Sequence, residues 1–226
     1  MSSTSIRTVE AADNPYHHGD LRRALLEAAN AILAETGRWD CSLREVARRA
    51  GVSHNAPYRH FADKEALLSA IGVSGFDALN TDTGRSADGL ADPVAVVRAF
   101  GKAYVRFGLA NPALYRLMLG QGLPSADGLP AELRAAMDGA RQRLRDVILW
   151  GARTGAFTVD PEDATEVTAA VLAAWSLVHG FTVLTIDRVV EREVGGGAPD
   201  GWADMAIERF IAGLVRSSVS PGPPRS

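Results

Sequence analysis

Apolar positions along the chain recur three and four residues apart, the period of one face of an α-helix. Leu21, Ala24, Leu25, Ala28, Ala29, Ile32 and Leu33 form the first stripe, with Asp20 placed to cap its start and Gly37 to end it. Ser42-Leu43-Arg44-Glu45 follows as a capping box, in which Ser42 and Glu45 each satisfy the other's backbone N–H. Leu43, Val46, Ala47 and Ala50 supply the inward stripe of this short helix, and Gly51 closes it. Val52-Ser53 opens another short helix with Ser53 as N-cap. Asp63 caps the next, whose apolar positions are Ala66, Leu67, Ala70 and Ile71.

Asn80 to Ala91 is rich in Gly, Ser, Thr and Asp and predicts a loop. Pro93 then opens a helix carrying Val94, Val97, Gly101, Tyr104 and Phe107 on one face. Asn111-Pro112 starts a short helix through Leu119, and Gly120 to Pro130 is made of turn residues. Leu133, Ala136, Met137, Ala140, Leu144, Val147 and Ile148 mark another helix, and Asp160-Pro161 opens a long apolar one. Gly195-Gly196-Gly197 breaks the chain before a last amphipathic helix from Trp202 to Arg216. Pro221 to Ser226 predicts a disordered tail. No sustained alternation of apolar and polar residues is present, so the expected fold is all-α, without internal repeats.

Composition changes this picture little. Of 226 residues, 46% are hydrophobic and 23% charged, the balance of a soluble globular protein with enough apolar material for a full core. Val167 to Ile186 lacks charged residues over about the length of a membrane span. Its Thr, Ser, His and Gly residues and its many alanines favour a buried or subunit-interface helix instead. The net charge is −3, and Arg22, Arg23, Arg38, Arg44, Arg48, Arg49, Arg59 and Lys64 only slightly outweigh the acidic residues around them. Any contact with DNA must therefore come from placement rather than from a general positive field. The single cysteine, Cys41, excludes an internal disulfide, and with a polar N-terminus that lacks an apolar run it leads to a cytoplasmic expectation.

The informative stretch is Ser42 to Phe61. A helix ending Ala47-x-x-x-Gly51, a tight turn and a second short capped helix is the pattern of a helix-turn-helix: Ala47 lets the helices approach, and Gly51 frees the turn. His54, Asn55, Ala56, Arg59 and His60 leave the second helix few apolar anchors, so its place is the surface, and the major groove of DNA admits a helix of that width. The alternative is that His54 and His60 are exposed polar residues without partners. His17-His18 resembles a metal pair by residue type alone, and no metal site is expected.

Residues 18–72 closely resemble the TetR (tetracycline repressor) family. The matching text is Leu25-Leu26 through Ala29 and Gly37, Ser42 through Ala47, Ala50-Gly51-Val52-Ser53, and Tyr58 through Leu68, where Tyr-x-His-Phe-x-x-Lys-x-x-Leu is rarely met elsewhere. The resemblance implies DNA contacts from Ser42 and Arg44, with Arg44 reading a base, and from His54, Asn55 and Ala56 at the base-facing start of the recognition helix. It places Tyr58, His60 and Lys64 on phosphates, with Arg59 beside them, and Phe61, Val46 and Leu67 in the core. Pro57 departs from the family pattern. At the fourth helical position it removes at most one backbone bond, so the recognition helix is expected to persist, slightly shifted.

Beyond Thr83, Asn111 through Met118 and Trp175-Ser176-Leu177-Val178-His179-Gly180 resemble a recurrent C-terminal type with a Trp…His-Gly signature. Trp175 and His179 share a helix face. His179 either offers a hydrogen bond to a ligand or is a core histidine bonded to a backbone carbonyl. Candidate lining for an effector pocket is Tyr104, Phe107, Tyr115, Met118, Trp150, Trp175 and His179. The last two long helices match the family's dimerisation pair. The resemblance thus implies a disordered segment 1–16, a DNA-binding domain 17–72, a ligand-binding and dimerisation domain 73–218 and a tail 219–226. Its function would be that of a dimeric repressor on a palindromic operator, released by a small hydrophobic effector. Two other classes stay open. An architectural DNA binder would have a filled second domain, and an all-α enzyme would need a base beside a nucleophile or metal, for which no catalytic residues or cofactor suggest themselves.

Overall fold

The computed structural model describes residues 18–121, 129–195 and 199–215. His17, the expected terminal segments 1–16 and 219–226, Arg216, most of the Gly120–Pro130 turn and the Gly196-Gly197 break lie outside them. Helices carry the described chain, and the one β-type contact among these residues is an isolated bridge between Phe157 and Val215.

Helix α1, His18–Thr36, begins ahead of Asp20, which therefore sits in the first turn rather than at the cap. Gly37 ends it with φ +65°, its N–H returning to the Leu33 carbonyl at 2.8 Å. Helix α2, Leu43–Arg49, has half of its expected capping box. The Glu45 N–H donates to Ser42 Oγ at 3.1 Å, but the Glu45 carboxylate takes the Arg48 guanidinium at 2.6 and 3.0 Å instead of reaching back. Two bonds to a cationic guanidinium displace one bond to a backbone N–H.

The recognition helix expected from Ser53 is shortened to a 3-10 turn, Ala56–Arg59. In an α-helix capped by Ser53, residue 57 would make the first N–H bond back to the cap, and Pro57 has no N–H to give. The tighter bond from Ala56 N–H to the Ser53 carbonyl, at 3.0 Å, takes its place. Pro57 is buried and anchors the turn from below.

Helix α3, Lys64–Ser86, is capped by Asp63, whose carboxylate accepts from the Ala66 N–H at 2.8 Å. It runs through most of the predicted 80–91 loop. The hydroxyls of Thr81, Thr83 and Ser86 donate to the carbonyls of Asp77, Leu79 and Thr83 at 2.7–2.9 Å, so polar residues that suggest a loop are satisfied on their own helix. Leu79 and Thr83 are buried there.

Helices α4 (Pro93–Ala110), α5 (Pro112–Met118) and α6 (Ala131–Arg153) follow, α4 capped by Asp92. The long apolar helix α7, Ala164–Ile186, starts after Asp163, which accepts from the Thr165 N–H at 2.7 Å; Asp160 and Pro161 form the turn ahead of it. Short α8 (Val189–Val194) and α9 (Pro199–Leu214) complete the described chain.

Helices α1, α2 and the 3-10 turn enclose the start of α3 around Leu25, Val46, Phe61, Leu67 and Ile71, all at most 2% exposed. That core continues without a gap into Phe107, Leu117, Met118 and Leu133 of the second half. A separate cluster of Val97, Ile148, Phe157, Val171, Ile207 and Ile211 joins α4, α6, α7 and α9. Close approach is strictest at Gly151, where a Cβ would stand 2.0 Å from the Phe157 ring. By length and composition α7 could cross a membrane, with a mean hydropathy of 1.8, but it packs against α4, α6 and α9 with Val167, Val171 and Thr182 buried.

Candidate DNA interface and effector cavity

On the face formed by α2 and the 3-10 turn, Ser42, Arg44, His54, Asn55, Tyr58 and Arg59 are exposed and Ala56 is half-buried. Tyr58 is the most prominent, a large ring 52% exposed. The cations of this region fall into two groups. Arg48 is paired with Glu45 and Arg49 with Glu35, holding both carboxyls below the ordinary range. Arg44, Arg59 and Lys64 make no ion pair among the described residues. Uncommitted cations beside exposed hydrogen-bonding side chains can hold a row of phosphates and reach base edges. Lys64 opens α3, where free N–H groups also favour an anion.

His60 stands apart from that group. Its ring is half-buried against Phe61, in a cleft with Arg22, Ser69 and Glu132 between the head and the start of α6, and its Nε2 is enclosed with no hydrogen-bond partner among the described residues. Cys41 is half-buried, and burial pushes its thiol up despite the nearby Lys64 charge, the opposite of an activated nucleophile.

In the second half, α3, α4, α6, α7 and α9 surround a cavity of about 90 Å³. Its wall includes Leu79, Phe100, Tyr104, Met137, Trp175 and Phe210. Of the seven residues singled out from the sequence, Tyr104 and Trp175 line this cavity. Tyr115 and His179 stand behind them in a chain of hydrogen bonds. The Trp175 indole N–H donates to the Tyr104 hydroxyl (3.2 Å), Tyr104 shares a proton with Tyr115 (3.0 Å), and Tyr115 meets His179 Nδ1 at 2.7 Å. The His179 ring also stacks on Trp175 at 5.5 Å. Its bond is thus to a tyrosine hydroxyl rather than to a backbone carbonyl. Burial lowers the His179 pKa and raises those of both tyrosines, so all three rings are neutral near pH 7. Phe107 and Met118 belong to the core that joins the two halves, and Trp150 is half-buried away from the cavity wall.

Two stretches of the chain match known family models. Residues 25–71 match the model for bacterial regulatory proteins of the tetR family, and residues 97–210 match the tetracyclin repressor-like C-terminal domain. The chain belongs to the TetR family. Among solved structures, a Rhodococcus sp. RHA1 protein of unknown function is 31% identical with a TM-score of 0.76, over 90% of this chain and 100% of its own. The TetR family regulator PfmR from Thermus thermophilus is 25% identical with a TM-score of 0.60, over 85% and 99%. The fatty acid degradation regulator FadR from Bacillus halodurans shares the fold alone, at 13% identity and a TM-score of 0.67 over 85% and 98%. As a TetR family member, the protein is a DNA-binding transcriptional regulator and not an enzyme.

Beside the continuous core, two features tie the DNA-binding head of this TetR regulator to its second half. Helix α3 passes through residues 72 and 73 unbroken, from Lys64 at the head to Leu79, Asn80 and Thr83 at the cavity. The Trp39 indole, in the α1–α2 connection, donates to the Ala113 carbonyl of α5 at 3.2 Å. Sequence spacing did not mark the cavity-lining Asn80, Thr83, Arg141 or Arg143. For Asn80 and Thr83 the available signal was an apolar i, i+3 pair, Phe76 and Leu79, continuing past Gly75.

Proposed function

We propose that the protein is a homodimeric repressor that binds a palindromic operator in the cytoplasm and is released by a small, mainly apolar effector. Residues 17–72 serve as the reading head and 73–218 as the sensing and dimerising body. The observation that carries this reading is the unbroken α3, which ends at the cavity and begins beside the DNA face. A cavity of about 90 Å³ is smaller than a typical ligand pocket of about 300–1,000 Å³, so an effector enters by separating the surrounding helices. Moving α3 re-aims the head. Release follows only because the effector favours the separated arrangement over the one that fits DNA.

Support for the dimer comes from the outer faces of α7 and α9. Leu172 (47%), Leu184 (47%), Trp202 (41%) and Met205 (51%) are exposed there, four of the six large exposed hydrophobic residues among those described. Two copies joined through these helices would cover them in a four-helix interface and present two heads to successive major grooves, about 34 Å apart.

Selection of bound duplexes from a random pool tests the reading directly. The expected product is a palindrome whose retention is lost on adding an apolar effector from a compound screen. Lys64→Ala should weaken binding to all sequences and flatten its salt dependence, whereas Arg44→Ala should relax preference at one position of each half-site. Identical behaviour of the two variants refutes the division of roles, and recovery of no common sequence refutes the operator reading.

A further inference from the structure

Granted that the cavity is the effector site, its polar end indicates the class of molecule it takes. Asn80 of α3 and Arg143 of α6 both line the cavity, and neither side chain is engaged by any group among the described residues. The two belong to one corner. Gly84 lies one turn beyond Asn80 on the same face of α3, and a Cβ there would stand 3.1 Å from Arg143 Nη2. The glycine leaves room for the guanidinium to lie against the helix. Arg141, the other cation of the wall, is already committed: it pairs with Asp138, and its guanidinium lies over the Trp175 ring, 5.9 Å from the centroid. Among the described residues no Asp or Glu lines the cavity, and the rest of the wall is dominated by side chains such as Leu79, Phe100, Met137 and Phe210.

We infer that the effector is an apolar molecule bearing one carboxylate, held with its carboxylate on Arg143 and Asn80 and its apolar body toward α4, α7 and α9. The guanidinium fork matches a carboxylate with two parallel N–H donors, and the Asn80 amide supplies a further donor. A carboxylate taken into an apolar wall without such partners would be strongly disfavoured, and an ammonium would meet the unpaired Arg143 with no carboxylate on the cavity wall among the described residues. The same corner therefore selects for an anion and against a cation.

The test uses matched ten-carbon probes, decanoate, decanol and decylamine, titrated calorimetrically into the full chain, with operator release followed in parallel. Decanoate should bind about 10-fold or more tighter than decanol, and decylamine weakest. Arg143→Gln should weaken decanoate by about 10- to 100-fold, the range for a hydrogen bond to a charged group, and leave decanol unchanged. Unchanged decanol binding also shows that the variant is folded with its cavity intact. Equal affinity for decanoate and decanol, a preference that survives Arg143→Gln, or no binding of any probe overturns the inference. Decanoate that binds as described without releasing the operator leaves the ligand class standing and refutes the effector reading.

Discussion

Four polar atoms link Trp175 to His179, and their order follows from the protons available. The indole N–H can only donate, so the Tyr104 oxygen accepts from it. With His179 neutral and protonated on Nε2, Tyr104 donates to Tyr115 and Tyr115 to His179 Nδ1, and each hydroxyl proton is used. A charged His179 must donate from Nδ1, which reverses the chain and strands one tyrosine proton. Burial already lowers the His179 pKa. Between that lowered value and the ordinary value of about 6.5 in the unfolded chain, the unfolded state binds more protons. Stability therefore rises with pH in that window and is lost as pH falls through it. The thermal midpoint should drop more steeply from about pH 7.5 to about pH 5 in the wild type than in His179→Gln, read by circular dichroism. Parallel curves would remove His179 as the titrating group. The Trp175–His179 stack was legible from a spacing of four on one helix. Tyr115 was not visible as its partner, because it arrives from α5 and spacing encodes neighbours only within an element.

At the scale of elements, the two largest departures from expectation have the same origin in backbone hydrogen bonding. Residue counting treated Pro57 as the loss of one bond, yet a helix of two turns depends on its first bond for nucleation, and the segment tightens into a 3-10 turn instead. For Asn80 to Ser86, composition suggested a loop, but hydroxyls one turn from a carbonyl satisfy themselves in a helix once Leu79 and Thr83 have a core to enter. Of the expected caps, Asp63 and Ser42 each accept the N–H expected of them, whereas Asp20 lies inside α1 and Ser53 does not cap a helix. Asp63→Ala should cost about 1 kcal/mol of stability in urea unfolding. Faster amide exchange should be confined to the first turn of α3, and operator affinity should fall because Lys64 is in that turn. Unchanged exchange at residues 64–67 would show that the cap does not hold the helix start.

For the whole molecule, the proposed dimer rests on apolar side chains that the single chain leaves uncovered. Leu172→Glu would place a charge among them. Sedimentation velocity should then show monomers at concentrations where the wild type is dimeric, and affinity for a full palindrome should fall to that for a half-site. A variant that stays dimeric would move the interface elsewhere. The all-α architecture and the head were legible because periodicity and capping are local signals. The cavity was largely not. Large apolar side chains at helical spacing mostly fill space, as Phe107 and Met118 do, whereas the cavity wall also takes the small residues Gly101, Ala140 and Ala174 from three different helices.

The bond from Trp39 to Ala113 constrains the motion by which such a regulator could let go of DNA. The head already packs on the second half through a continuous core, and the indole adds a directed bond to α5, so a swing of the head that keeps this bond carries α5 with it. Because α5 also carries Tyr115, that swing would pull on the hydroxyl that His179 and Tyr104 share.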